Sequence, residues 1–220
     1  TVRLIRPIDL SDPLGTGGPY LLIDKGTDRE TGSMVLKRPD NNPFTPGIPL
    51  AAGDIVVMCF DYSPGTASDI HAAAVAVFTH LMRKGARVIA VSFVPDGPQF
   101  AAQVLATAPR DKAYGRDFVD LGYRAGGENA IAAFAQDVAR TFPADSRGAP
   151  INQLPLMASV KTARDFALVI EISGGSPGPA EWIRQVGQPF GCKIGSIVTT
   201  VMVPPNLAYL QSKQLMALLY

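Results

Sequence analysis

The chain has 220 residues, 20 Lys and Arg against 19 Asp and Glu, a net charge of +1 and 47% hydrophobic content. High apolar content at near-zero charge excludes an intrinsically disordered chain, and scattered basic residues without a stripe argue against a nucleic-acid partner. A chain of this length can bury a core without disulfides or structural metals, as one domain or as a domain with a small appendage.

Residues 1–50 are rich in turn formers and predict a small β appendage. Its apolar stretches 20–23 and 33–36 suit a hairpin or two edge strands, and 39–49 is a loop with four prolines. From Gly53 the pattern becomes regular. The run 55–60 is continuously apolar, as expected of a strand buried on both faces. Asp69 is placed to cap a helix over 70–84, with Gly85 as its stop and Arg83, Lys84 and Arg87 gathered near its negative end. A strand over 87–93, a helix over 98–105 and a short strand over 118–121 follow. Gly126 and Gly127 open a helix over 128–142. After a loop at 145–155 and a helical turn at 159–164, a strand is expected over 167–172 and a helix over 179–188. The last strand covers 194–203, and Asn206 caps a helix to the chain end. That helix lacks a stop signal, which suggests that the natural chain continues.

Strands alternating with helices predict parallel βαβ units with right-handed crossovers. The expected fold is a three-layer α/β/α sandwich with a mostly parallel, doubly wound sheet of Rossmann or flavodoxin type over 51–220. The 19 uncharged residues of 194–212 are long enough for a membrane span, but Pro204 and Pro205 interrupt them. Cys59 and Cys192 form no metal-ligand pattern, and Cys59 reads as a core residue. His71 and His80 are nine positions apart, on opposite sides of a helix turning about 100° per residue, so they cannot share a metal. Neither a metal nor a cofactor is expected.

Ligands of open α/β sheets bind beyond the carboxyl ends of the strands, where the strand order reverses. The loops there carry Asp61, Tyr62, Ser63 and Thr66; Asp96; Tyr123, Gly126 and Gly127; and Gly174, Gly175 and Ser176. These are the candidate ligand-binding residues, although turns need Gly, Ser and Asp for their own sake. Gly174–Gly178 matches the G-x-S-x-G pattern of a serine nucleophile between strand and helix. Pro177 after the serine lacks the amide that an oxyanion hole needs, and both histidines precede the serine. Gly15, Thr16, Gly17 and Gly18 lead into a strand and read as a turn, not a phosphate loop. Gly126 and Gly127 precede a helix and could hold an anion, but Glu128 supplies a local carboxylate. Asp61 and Tyr62 are the best polar pair, and Asp96 and Glu171 are candidates to join Asp61 in a carboxylate cluster. Trp182 and Tyr123 could stack on a ring, against the commoner role of helical aromatics in a core.

The stretches DYSPGTASDIHAAAVAVFTHLMRKGARVIAVSFVPDG (61–97), YGRDFVDLGYRAGGENAI (114–131), LPLMASVKTARDFALVIEISGG (154–175) and AYLQSKQLMALL (208–219) resemble an uncharacterised family of bacterial and archaeal membrane-anchored proteins. The resemblance covers roughly 50–220 and implies an α/β domain flanked by hydrophobic segments outside this chain. It implies no activity. The expectation is a ligand-binding or assembly domain of a membrane-anchored protein, with a small molecule or further copies of itself as partner. The alternatives are a small hydrolase using Ser176 or a carboxylate near Asp61, and a nucleotide-binding module using Gly126 and Gly127.

Overall fold

The apolar run at 55–60 becomes strand β1 (Ile55–Asp61), with all seven residues buried. A computed structural model describes residues 50–220; the hairpin, the Gly15–Gly18 turn and the proline loop expected before them lie outside the described residues. Beside β1 stand β2 (Arg87–Ser92) and β3 (Phe118–Tyr123) on one side, and β4 (Leu168–Ser173), β5 (Ile194–Val198) and β6 (Ala217–Leu219) on the other. All pairings are parallel and the order is β3-β2-β1-β4-β5-β6. This is the doubly wound order, and the chain reverses direction across the sheet between β1 and β4.

Because strands point side chains to alternate faces, each buried strand feeds two cores. Val56, Met58 and Phe60 pack with Ile70 and Phe78 of α1 (Pro64–Lys84) and Phe100 of α2 (Gly97–Leu105). Val57 and Cys59 face Ile131 and Phe134 of α3 (Gly127–Gln136), and Trp182 at the end of α5 (Pro179–Trp182). Full burial of a Val, Ile or Phe side chain is worth about 1.5–3 kcal/mol, so both layers hold the sheet in place.

Several element boundaries differ from the sequence expectation. Helix α1 starts at Pro64, not Ile70, because Ser63 is extended and its carbonyl accepts the amides of Thr66 and Ala67 at 3.1 Å; a proline at the first position is preset for a helix. Asp69 therefore lies inside the helix. The helix expected over 128–142 breaks at Asp137, whose φ of −154° is extended and whose side chain caps α4 (Val138–Thr141) by accepting the Arg140 amide at 2.9 Å. Strand β5 ends at Val198, and a 3-10 turn (Thr200–Met202) leads into α7 (Val203–Gln211); before β5, a π turn (Ile183–Gly187) leads into the short α6 (Gln188–Phe190). The expected terminal helix stops at Gln211, and the last residues form β6, with Gly195 opposite Ala217 and Ile197 opposite Leu219. A short apolar run has no period that separates strand from helix. Among the described residues no helix is long and apolar enough to cross a membrane.

Candidate functional site

The switch point lies where Asp61 at the end of β1 stands opposite Ser173 at the end of β4. Asp61 is buried and turned inward. Its Oδ1 accepts the Phe93 amide at 2.6 Å and the Ser92 hydroxyl at 3.3 Å, and its Oδ2 accepts the Cys59 thiol at 3.0 Å. Burial raises its pKa to about 6, against the lowering effect of these hydrogen bonds.

Glu171, on the same face as Cys59, is fully buried. Its carboxyl contacts the Ser196 hydroxyl, which also lies 3.1 Å from the Glu171 carbonyl. Desolvation raises its pKa to about 8, and the nearby Asp61 pushes the same way. Glu171 thus joins the neighbourhood of Asp61. Asp96 does not: it is exposed beside α2.

The loops over this cluster close it tightly. A Cβ on Gly97 would sit 1.9 Å from Ser92 Oγ and 2.0 Å from the Phe60 carbonyl, so only glycine lets α2 rest on the ends of β1 and β2. A Cβ on Gly174 would sit 2.6 Å from the Thr66 side chain, so the loop after β4 lies directly on the first turn of α1. Ser63, Thr66, Gly174, Gly175 and Ser176 thus share one crest. Tyr62 is buried beneath it, stacked on Phe100 at 4.5 Å, and its hydroxyl shares a hydrogen bond of 2.8 Å with His71 Nδ1. Burial raises the phenol pKa and lowers that of the imidazole.

Tyr123, Gly126 and Gly127 stand apart from this crest, after β3, with β2 between. Glu128 accepts Arg184 at 2.9 and 3.0 Å and Gln185 at 2.9 Å, which holds its carboxyl below the usual range and ties α3 to the π turn. Trp182 is fully buried against Phe93 and Phe134, so it does not stack with the exposed Tyr123 on a common ring. Ser176 is exposed and makes no hydrogen bond to a histidine, lysine or carboxylate among the described residues. Among those residues no three His, Cys, Asp or Glu side chains are placed to hold a metal ion.

Sequence reasoning overlooked a second region, at the opposite end of the sheet. A cavity of about 460 Å³ opens between the carboxyl end of α2 and the start of β3, with Arg110, Lys112 and Arg147 at its walls. The signal was Arg110, Lys112 and Arg116 within seven residues, masked by the interleaved Asp111. The chain matches no protein-family model and shows no significant similarity to any curated protein.

Proposed function

We propose that this chain is a non-catalytic binding domain that takes an uncharged ligand on the crest at the β1–β4 switch point. One observation carries this reading: Asp61, the best acid or base there, is buried with both oxygens engaged by the protein. General-base work needs an oxygen within reach of a substrate proton. What remains outside is hydroxyl, glycine and apolar surface. Residues 62–68 and 174–179 carry no charge, and neither does 194–212, where Val201 is 78% exposed. An uncharged crest recognises its ligand by shape and hydrogen bonds. On the family resemblance, we further propose that the domain belongs to a membrane-anchored protein, which membrane fractionation of the whole gene product tests.

A thermal-shift panel of neutral sugars, polyols and nucleosides tests the binding reading. A bound ligand at 100 times its Kd stabilises the fold by about 2.7 kcal/mol. That shift should vanish in Gly175→Trp, where a Cβ meets open space and the ring would cover the crest. Labelling by a fluorophosphonate probe that disappears in Ser176→Ala would overturn the reading in favour of a hydrolase.

A further inference from the structure

We propose that the cavity beside β3 binds a small organic anion, a phosphate or carboxylate group carried on an apolar body. Its volume, about 460 Å³, is within the range of small-molecule sites. Its lining includes the apolar side chains of Ala102, Leu105 and Pro109.

The walls are cationic and prearranged. Asp145 Oδ1 accepts the amides of Arg147 at 2.9 Å and Ala149 at 2.8 Å, and its Oδ2 accepts the Tyr114 hydroxyl at 2.8 Å. This turn places the Arg147 guanidinium over the Tyr114 ring, its central carbon 3.4 Å from the ring centre. A planar guanidinium held by stacking presents its N–H fork with little ordering left to do. Neither Arg147 nor Arg110 has an ion-pair partner among the described residues. Lys112 pairs with Asp111 at 4.0 Å, and its charge also helps to lower the pKa of Asp117. The one carboxylate among the lining residues, Asp120, is buried, its Oδ1 accepts the Gly122 amide at 2.9 Å, and it lies close enough to feel the charge of Arg147. Among the lining side chains three cations therefore stand against one carboxylate. This arrangement suits an anionic head with an apolar tail better than a bare ion.

A rival account has the same cations merely offsetting the carboxyl end of α2, where basic side chains are favourable. The two accounts differ in what they predict for an apolar body. Calorimetric titration of the full chain with phenyl phosphate, benzoate, inorganic phosphate and phenol separates them. Saturable binding of phenyl phosphate or benzoate is expected, with inorganic phosphate weaker and phenol silent; the stronger of the two acids identifies the head group. Paired replacement Arg110→Ala and Arg147→Ala should weaken binding about tenfold or more, the worth of one charge-assisted hydrogen bond. Ala106→Trp, at an exposed position lining the cavity, should abolish binding with the charges intact, and it answers the question if the arginine variant fails to fold. Three results overturn the proposal: no heat from either acid up to about 10 mM, equal affinity for inorganic and phenyl phosphate, or unchanged binding in Ala106→Trp.

Discussion

At the carboxyl end of the sheet, the Cys59 thiol, the Ser92 hydroxyl and the Phe93 amide all donate to the Asp61 carboxyl, out of reach of solvent. At the opposite end, around β3, Arg110 and Arg147 line an open cavity and form no salt bridge among the described residues. The first region uses its polar groups to close the fold, and the second leaves them available. Position in an α/β sheet indicates where ligands usually bind, whereas the hydrogen-bond inventory shows which groups remain free to bind one. The crest keeps its surface, but its acids are committed to the interior.

The strongest way to break this comparison is to pry the carboxyl end apart. Gly97→Ala would place a methyl group 2.0 Å from the Phe60 carbonyl, a backbone atom that cannot move aside cheaply. The expected loss is about 3 kcal/mol or more in urea denaturation. Gly175→Ala, on the same crest but with nothing within 4 Å, should cost little. Equal losses in the two variants would show that the crest is not closed at Gly97.

A smaller effect concerns the acid beneath the crest. The Ser196 hydroxyl has one hydrogen and meets two acceptors on Glu171, its carbonyl and its carboxyl. Both contacts become hydrogen bonds when the carboxyl is protonated and donates to Ser196. The folded pKa of about 8 lies above the ordinary 4.5, so the folded state holds a proton that the unfolded chain releases. Stability is then full below pH 4.5, falls as pH rises to about 8, and is flat beyond. The fall should be on the order of a few kcal/mol. Glu171→Gln should remove this part of the slope, matching the native chain near about pH 4 and exceeding it near about pH 8. Asp61, raised to about 6 from 3.8, leaves a shallower fall at lower pH in both proteins. Parallel pH profiles would mean that Glu171 is ionised in the fold.

Much of this architecture was legible in the residues. The apolar runs at 55–60, 88–91 and 167–170 mark strands covered on both faces, and the alternation with helices implies the parallel sheet. Strand β6 was not legible, because Leu215 to Leu219 is too short and too uniformly apolar to carry a period. The inward turn of Asp61 was not legible either: its partner Phe93 lies 32 positions away and bonds through its backbone amide, which has no sequence signature. The basic cavity escaped notice because Arg147 joins Arg110 and Lys112 only through the Asp145 turn.

The smallest predicted effect probes that turn. Tyr114→Phe removes the hydroxyl that donates to Asp145 at 2.8 Å and keeps the ring under Arg147. Asp145 still accepts the Arg147 and Ala149 amides, so the turn should loosen but persist. The expected loss is about 1 kcal/mol, the net value of one intramolecular hydrogen bond. Hydrogen exchange should quicken at the Arg147 and Ala149 amides and stay unchanged at the Phe93 amide, which Asp61 holds at the other end of the sheet. Faster exchange at Phe93 would show that the two ends are coupled through β2 and β3, and the contrast between a closed end and an available one would then describe one cooperative unit.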